Sequence, residues 1–315
     1  MRAFAIDAFN TPGTIRDLPT PSIGPDDVLI HIRAASINPS DLKIRQGEMQ
    51  GMMEHRFPVV LGWDGAGVVE QVGSAVTQFA KGDEVFGLFI KQVIQDGTFA
   101  EYASIPASAG IARKPTSLDF IHAAALPETG LTALNALDAV DLKAGQTILI
   151  IGATGGIGSY AVQVAAKRGA HVLATARPEK ADYIRKLGAS KVIDHTSSDL
   201  VTAVRTAHPD GIDAIVDVVS NKETNQHNAQ ILRKGGHLAS TIYAADPEQL
   251  AAQGISAVNV QTTPSAQQLT LLAQMVDKGD LIVPVDQTFP LEEAGKALDE
   301  LKQGRVRGKI VLTIS

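Results

Sequence analysis

The stretch Thr-Ile-Leu-Ile-Ile-Gly-Ala-Thr-Gly-Gly-Ile-Gly, residues 147–158, decides the fold class that we predict for this chain. Its first part is a continuous apolar run, which is typical of a strand buried on both faces. Four glycines lie in its second part, and residues 159–168 follow with the apolar spacing of a helix that ends before Gly169. A strand, a glycine turn and a helix in this order predict an α/β fold with a doubly wound parallel sheet.

The glycine turn also predicts a dinucleotide site. Glycines let the backbone turn tightly and approach a pyrophosphate, which binds the free N–H groups at the helix start. Against the usual G-x-G-x-x-G, Gly155 and Gly158 hold the second and third places, and Ala153 holds the first. A tight turn without a ligand is the alternative, but the flanking strand and helix favour the site. The residues expected to contact the cofactor here are Gly152, Ala153, Thr154, Gly155, Gly156, Ile157 and Gly158.

The next predicted strand, residues 171–176, indicates which cofactor binds. An NAD site usually places an acid about 20 residues beyond the glycines, where it meets the ribose 2′-hydroxyl. No Asp or Glu lies between Ala170 and Pro178, and Arg177 follows the strand. A guanidinium binds a 2′-phosphate with a two-pronged contact. We therefore expect NADPH; the alternative is that Arg177 is a solvated loop residue and Glu179 reaches the ribose.

The composition bounds the class of protein. A chain of 315 residues suggests two domains, and 44% hydrophobic residues, 20% charged residues and a net charge of −6 do not favour nucleic-acid binding. The absence of cysteine excludes disulfides, thiol catalysis and cysteine-ligated metals. An acid at position 7 argues against a signal peptide, and no apolar run approaches the roughly 18 residues of a membrane span. We expect a cytoplasmic protein that binds a small molecule.

The order of predicted elements separates two domains. Residues 1–118 contain short strands between frequent turns, which suggest a small barrel or sandwich, and residues 119–140 are mainly helical. After the glycine turn, strands alternate with helices to residue 261. We therefore assign residues 1–118 and 262–315 to one domain and residues 119–261 to the other. The predicted later elements are helices at 178–187, 198–207, 223–233 and 291–303, and strands at 256–260, 281–283 and 309–314, the last of which is expected to rejoin the N-terminal domain.

Four further stretches of the sequence stand out. They are Ser-Ile-Asn-Pro-Ser-Asp-Leu-Lys-Ile-Arg-Gln-Gly at 36–47, Leu-Gly-Trp-Asp-Gly-Ala-Gly-Val-Val at 61–69, Gly-Thr-Phe-Ala-Glu-Tyr at 97–102 and Leu-Pro-Glu-Thr-Gly-Leu-Thr-Ala at 126–133. Together with residues 152–158 and the closing Arg-Gly-Lys-Ile-Val-Leu, they resemble the medium-chain dehydrogenase/reductase superfamily in its zinc-free quinone reductase branch. The stretch at 36–47 looks most like the enone and 2-alkenal reductases of that branch. The resemblance implies a GroES-like catalytic domain with an inserted Rossmann domain.

The residues at the family's zinc-ligand places predict a metal-free site. Asn38 and Pro39 stand where the zinc alcohol dehydrogenases of the family carry Cys-His, and Trp63 and Asp64 stand where they carry His-Glu. A catalytic zinc needs three protein ligands and an open position. Trp63 is expected either to wall the substrate pocket or to be a plain core residue.

A metal-free site favours acceptors that are already activated by conjugation. Hydride from NADPH then goes to an electron-poor carbon, and the negative charge that develops on oxygen needs only a positioned donor or cation. We predict Lys43 as the stabiliser, with Asn38 and Asp41 as the other catalytic residues and Asn38 touching nicotinamide or substrate. The alternatives are an exposed cation at Lys43, a helix cap at Asp41 and a turn residue at Asn38.

The remaining candidates concern cofactor binding. The resemblance places Thr129 and Thr132 near the nicotinamide, where Thr132 either donates to a phosphate or caps a helix. Val218 and Val219 end a predicted strand at the carboxyl edge of the sheet, where cofactors bind, and either wall the nicotinamide or ribose or belong to the core. Near the C-terminus, we interpret Arg307 and Lys309 as surface charges rather than cofactor contacts.

The function predicted from these residues is NADPH-dependent reduction of quinones or α,β-unsaturated carbonyl compounds. The alternatives are an enoyl-thioester reductase and a non-catalytic NADPH-binding protein with a structural or regulatory role. We also expect a homodimer, because the family resemblance is joined by a predicted edge strand at residues 254–260, and edge strands offer unpaired backbone groups to a second copy.

Overall fold

The computed structural model describes residues 1–197, 199–304, 306 and 308–315. The strands are β1 (Arg2–Ile6), β2 (Thr14–Asp17), β3 (Asp27–Ile37), β4 (Glu54–His55), β5 (Val59–Val60), β6 (Asp64–Val72), β7 (Glu84–Leu88), β8 (Val93–Ile94), β9 (Tyr102–Pro106), β10 (Ile111–Arg113), β11 (Thr147–Ile151), β12 (His171–Thr175), β13 (Lys191–Ile193), β14 (Ile212–Asp217), β15 (Leu232–Ser240), β16 (Ser256–Asn259), β17 (Val285–Pro290) and β18 (Lys309–Thr313). The α-helices are α1 (Pro39–Gln46), α2 (Phe120–Ala124), α3 (Pro127–Ala139), α4 (Gly156–Lys167), α5 (Ala181–Lys186), α6 (Leu200–Arg205), α7 (Lys222–Asn228), α8 (Pro247–Ala251), α9 (Ala266–Asp277) and α10 (Ala294–Lys302).

The chain forms two compact units. Unit 1 comprises Met1–Glu128, Pro264–Gly279 and Val283–Ser315, and unit 2 comprises Thr129–Thr263 and Asp280–Ile282. The first boundary that we expected, at residue 118, is therefore ten residues too early. Helix α2 packs on strands β3 and β6, which makes it part of unit 1.

A second correction concerns the predicted strand at residues 281–283. Ile282 belongs to unit 2, where its backbone N–H donates to Gln163 Oε1 at 2.7 Å and its carbonyl accepts from Gln163 Nε2 at 3.1 Å. The backbone of this apolar run is thus bonded by a side chain instead of a neighbouring strand. The strand that pairs with β18 begins later, at Val285.

Unit 1 is built on a sheet with the strand order β10-β7-β6-β3-β18-β17, and β9 also pairs with β3. The long strand β3 lies antiparallel to both β6 and β18, with Ser36 opposite Asp64 and Ile37 opposite Ile310. The prediction that the last strand rejoins the N-terminal domain is confirmed. This register brings Asn38, Asp64 and Lys309 to one end of three adjacent strands.

Unit 2 contains a parallel sheet with the strand order β13-β12-β11-β14-β15-β16. In order of appearance this is 3-2-1-4-5-6, which is the doubly wound arrangement, and the predicted fold class is confirmed. The topological switch point lies between β11 and β14, the two strands at the centre. Strand β16 is an edge strand, as predicted.

Two predicted helices of unit 2 have different bounds. The helix predicted at 223–233 ends early, because Asn228 closes α7 and Leu232 already pairs with Ile212 of β14. The helix predicted at 198–207 is α6, whose N-terminus is capped by the Asp199 carboxylate; Ser198 itself lies outside the described residues. Among the helices that the structure describes, none has the length and apolar character needed to span a bilayer.

Candidate functional site

The glycine turn of unit 2 has the geometry of an anion cradle. Gly152 directly follows β11 and has φ +87°, a conformation that favours glycine. Its N–H donates to Thr175 Oγ1 of β12 at 3.0 Å, which ties the turn to the next strand. A Cβ on Gly158 would lie 2.2 Å from the Gly152 carbonyl oxygen, so only glycine lets the helix approach the turn this closely. The two glycines therefore fix how α4 starts relative to β11.

The predicted cofactor residues of this turn lie together at the carboxyl end of β11. Gly155 is the N-cap of α4, and the N–H groups of the first helical turn have no partner within the helix. Ala153 is buried, whereas Thr154 and Ile157 are partly exposed. The positive end of the helix dipole and these N–H groups suit a phosphate group at this point.

Val218 and Val219 lie beside the glycine turn, on the other side of the switch point. A Cβ on Gly152 would lie 2.7 Å from a Val218 methyl and 2.8 Å from a Val219 methyl. Val219 is 60% exposed, so the core interpretation is wrong for this residue. The Asp217 carboxylate accepts the N–H groups of Val219 and Ser220 at 3.1 and 3.0 Å, and it thereby fixes the turn after β14.

The other predicted cofactor residues of unit 2 lie on elements outside the glycine turn. Arg177 is exposed, lies two residues beyond the end of β12 and precedes a short 3₁₀ turn. Thr129 and Thr132 are buried within α3, and Thr132 Oγ1 is hydrogen bonded to Thr262 Oγ1. Because Thr132 is the sixth residue of α3, the helix-cap interpretation of this residue is wrong.

In unit 1, Asn38 lies at the centre of a buried polar network. Its side-chain Nδ2 donates to Asp64 Oδ2 at 2.9 Å, and its Oδ1 accepts a hydrogen bond from Lys309 Nζ. Its backbone N–H donates to Asp41 Oδ2 at 2.8 Å. Both ends of the Asn38 amide are thus engaged by neighbouring side chains.

Asp64 is the carboxylate of this network. It is fully buried and accepts hydrogen bonds from Ser36 Oγ at 2.8 Å and from the Glu128 backbone N–H at 2.8 Å. Lys309 Nζ lies 3.6 Å from Asp64 Oδ2 and also donates to the Ile37 carbonyl at 3.2 Å. Lys309 is only 4% exposed, so its interpretation as a surface charge is wrong. Arg307 lies outside the described residues.

Asp41 and Lys43 occupy different environments on α1. The Asp41 carboxylate is fully buried and accepts the N–H groups of Asn38 and Gly62 at 2.8 and 3.0 Å, so it closes the helix N-terminus in the manner of a capping box. Lys43 is exposed. The structure therefore shows Asp41 as a helix cap and Lys43 as an exposed cation, which were the alternatives for these residues. Their proposed chemical roles stay predictions.

Burial shifts the protonation of the network. Burial raises the pKa of Asp41 to about 7, against the opposing hydrogen bond from the Asn38 N–H. Burial, reinforced by the charge of Asp64, raises the pKa of Glu128 to about 8. Burial also raises the pKa of Asp64, although the Lys309 ammonium opposes it. Ser40 Oγ donates to the Glu128 carboxyl at 3.1 and 3.3 Å.

Trp63, which precedes Asp64, is partly buried and packs against the core of unit 1. It also lines a cavity of about 10 Å³ with Phe89 and Lys91. A cavity of this size holds one water molecule at most, so Trp63 does not wall a substrate-sized pocket there.

Sequence reasoning did not predict that Asp64, Glu128 and Lys309 belong to one buried network. Asp64 begins β6, Lys309 begins β18 and Glu128 is the second residue of α3. Strand register aligns the ends of β6 and β18 with β3, which no local sequence pattern predicts. A charged residue that starts an otherwise apolar strand was the available signal for Lys309. For Glu128 the sequence contains no comparable signal.

Comparison with known proteins identifies two family models in the chain. Residues 24–116 match the alcohol dehydrogenase GroES-like domain, and residues 187–312 match the zinc-binding dehydrogenase model. Over 300 residues the chain is 32% identical to an NADPH-dependent alkenal/one oxidoreductase of Arabidopsis thaliana, covering 93% of this chain and 73% of that protein. The fold of this chain therefore combines a GroES-like domain with a Rossmann domain, as predicted.

Solved structures resemble the chain over its full length. A quinone oxidoreductase from Coxiella burnetii aligns with a TM-score of 0.89 and 30% identity, covering 100% of this chain and 99% of that chain. An NAD-dependent alcohol dehydrogenase aligns with a TM-score of 0.90 and 31% identity, covering both chains completely. One neighbour is a quinone oxidoreductase and the other an alcohol dehydrogenase, so the residues of this chain must decide between the two activities.

The zinc named by one family model does not suit the residues of unit 1. Asn38 offers its amide oxygen to an ammonium group, and Asp64 already has that ammonium as its cationic neighbour. Within the described part of the chain, no group of three His, Asp or Glu side chains is arranged to hold a metal.

We predict that the purified protein contains no stoichiometric zinc and that chelators leave its activity unchanged. The physical reason is that Lys309 supplies the cation beside Asp64, where a second cation would meet a like charge. Elemental analysis before and after dialysis against a chelator measures this. Loss of a stoichiometric zinc together with activity would contradict it.

Proposed function

Because this chain belongs to the medium-chain dehydrogenase/reductase superfamily, we propose that it is an NADPH-dependent reductase of quinones or α,β-unsaturated carbonyl compounds. The observation that carries the proposal is the buried ammonium of Lys309 between Asn38 and Asp64, at the place where zinc-containing relatives have ligands. A site organised in this way lacks the ligand set for Lewis-acid polarisation of an alcohol. It suits an acceptor that conjugation has already activated.

The proposed cofactor role of unit 2 follows from its geometry. The first-turn N–H groups of α4 would bind the pyrophosphate, and exposed Arg177 at the end of β12 would bind the 2′-phosphate. Exposed Val219 would lie against the ribose or nicotinamide. NADPH would supply a hydride when bound, and these residues would hold and orient the cofactor.

The proposed acceptor role of unit 1 belongs to α1 and its N-cap. Asn38 and Asp41 hold the start of this helix through the contacts within the buried network. Lys43 is exposed one turn further along and would stabilise the charge that develops on the acceptor oxygen. The Asn38 amide is committed to Asp64 and Lys309, which supports a positioning role for this residue.

We also propose that the protein is a cytoplasmic homodimer. Strand β16 is the edge of the parallel sheet, and Val258 on this strand is 37% exposed. Such an edge offers unpaired backbone groups to a second copy. We expect light scattering to give the mass of a dimer at micromolar concentration, and a monomer there would contradict this part of the proposal. The lack of cysteine supports the cytoplasmic location.

The preference for NADPH depends on Arg177. Charged hydrogen bonds contribute about 1.5–3 kcal/mol, so Arg177→Ala should weaken NADPH binding roughly ten- to a hundredfold and leave NADH nearly unchanged. Fluorescence titration of both cofactors measures this. Arg185→Ala, which removes another exposed arginine of unit 2, is the matched control and should change neither affinity. Equal losses for both cofactors in Arg177→Ala, or a wild-type preference for NADH, would contradict the assignment.

The reaction is tested by a panel of acceptors and alcohols. NADPH oxidation with a naphthoquinone and a 2-alkenal should be faster than with saturated aldehydes, and simple alcohols should give little NADP⁺ reduction. Faster turnover of alcohols than of any conjugated acceptor would favour an alcohol dehydrogenase. Tight NADPH binding without turnover of any acceptor would favour a non-catalytic protein, and activity confined to enoyl thioesters would favour that narrower reaction.

The same panel tests Lys43. Lys43→Ala should lower kcat with the preferred acceptor about tenfold or more, because one preorganised donor is removed. Lys81→Ala, which removes another exposed lysine of unit 1, is the control and should keep wild-type activity. Undiminished activity in Lys43→Ala would remove Lys43 from the mechanism and leave the reaction class intact.

A further inference from the structure

Large apolar side chains are exposed on two loops at the carboxyl edge of the parallel sheet in unit 2. Val219 lies on the loop after β14, and Ile242 and Tyr243 lie on the loop after β15, where Tyr243 is 55% exposed. The register pairs Asp217 with Ser240, the last residues of these two strands. Both loops therefore leave the sheet from neighbouring positions, at the edge where cofactors bind in such sheets.

Tyr243 also has a backbone conformation that is unfavourable for its residue type. Its φ is +61°, in the left-handed region, where the Cβ of an L-residue approaches a backbone carbonyl oxygen. Glycine and asparagine adopt this region more readily than a bulky aromatic residue does. Strained backbone of this kind persists where the surrounding structure imposes it, and it is concentrated at ligand sites. The strain therefore marks Tyr243 as a candidate ligand contact.

Hydrogen bonds hold the loop that presents Tyr243. The Ala244 N–H donates to Ser240 Oγ at 3.1 Å, which ties the loop to the end of β15. Asn259 of the edge strand β16 accepts the Ala245 N–H through its side-chain oxygen at 3.1 Å. The Asn259 side-chain nitrogen donates to the Ala245 carbonyl, also at 3.1 Å. The exposed aromatic ring is thus carried by a loop that neighbouring strands hold in place.

The order of the strands indicates which part of a dinucleotide would reach this loop. Arg177 lies just beyond β12, the glycine turn follows β11, and Tyr243 follows β15 on the opposite side of β11. A dinucleotide with its 2′-phosphate at Arg177 and its pyrophosphate at the glycine turn must extend its other half across β14. Neighbouring strands lie about 4.8 Å apart, so β15 is roughly 10 Å from β11. The nicotinamide half is long enough to reach it.

We propose that Tyr243 binds the nicotinamide ring of NADPH, an assignment that rests on the proposed function. An aromatic side chain and a flat pyridine ring attract each other through apolar burial and stacking. Tyr243 orients the nicotinamide end of the cofactor, while Arg177 holds the 2′-phosphate at the other end. The strained backbone of Tyr243 is retained because it exposes the aromatic ring at this point of the sheet edge.

The test compares two ligands by calorimetry, NADPH and 2′-phospho-ADP-ribose, which lacks the nicotinamide ring. Tyr243→Ala should bind NADPH roughly tenfold more weakly than wild type and bind 2′-phospho-ADP-ribose equally well, because only the contact with the nicotinamide is removed. Tyr243→Phe keeps the aromatic ring and should bind both ligands as wild type does. Ile282→Ala, which removes another exposed apolar side chain of unit 2, is the matched control and should change neither affinity.

A stability measurement distinguishes a ligand contact from a structural role. Asparagine tolerates a positive φ better than tyrosine does, so Tyr243→Asn relieves strain in the free protein. Its Tm without ligand should equal or exceed that of wild type, while its NADPH affinity should be as low as that of Tyr243→Ala. A residue that served only the fold would give the opposite pair of results.

The outcomes separate this assignment from the proposed function. Unchanged NADPH affinity in Tyr243→Ala, or equal losses for the two ligands, would overturn the assignment. Tyr243→Asn with a lower Tm and wild-type NADPH affinity would overturn it as well. A wild type that binds NADPH through Tyr243 but reduces no conjugated acceptor would instead contradict the proposed function and leave the assignment standing.

Discussion

The contact between Asp64 and Lys309 is the interaction on which the organisation of unit 1 depends. Burying a carboxylate or an ammonium alone is costly, and the pair becomes tolerable only because hydrogen bonds satisfy its remaining donors and acceptors. Ser36 and Asn38 supply these bonds from β3 and its C-terminal end, and Glu128 supplies one from the start of α3. The cation comes from the first residue of the last strand, β18. The site is therefore assembled only when the two ends of the chain have paired.

In unit 2, the candidate cofactor site is formed by backbone geometry rather than by charged side chains. Gly152 turns the chain after β11, and Gly158 lets α4 start against that turn. The turn and the close approach of the helix both depend on residues that are near each other in the sequence. They leave a row of N–H groups at the carboxyl end of the sheet. In unit 1, by contrast, a fixed carboxylate–ammonium pair holds the start of α1, which carries exposed Lys43. The proposed cofactor role belongs to unit 2, and the proposed stabilisation of charge on the acceptor belongs to α1 of unit 1.

The site of unit 2 is formed by residues close in sequence and that of unit 1 by distant residues, and this difference explains what the sequence could predict. The glycine turn, its flanking elements and the doubly wound order follow from local patterns, and the structure confirms them. The network did not follow, because Lys309 and Asn38 meet across 271 positions and only strand register places them together. Local patterns also gave wrong secondary structure where a residue distant in sequence determines the backbone conformation. The apolar run at 281–283 is bound by Gln163 instead of a strand, and Leu232 leaves a helical pattern to pair with β14.

The central claim is that the Lys309 ammonium stabilises the buried Asp64 carboxylate. A double-mutant cycle that measures the free energy of unfolding tests this claim most directly. Trp63 is the chain's single tryptophan and precedes Asp64, so its fluorescence during urea denaturation reports on unit 1. Lys309→Met should lower the free energy of unfolding by about 3–5 kcal/mol, because it leaves a buried carboxylate without its cation. Adding Asp64→Asn should recover about 0.5–3 kcal/mol relative to additive single losses. Strictly additive losses would contradict the account.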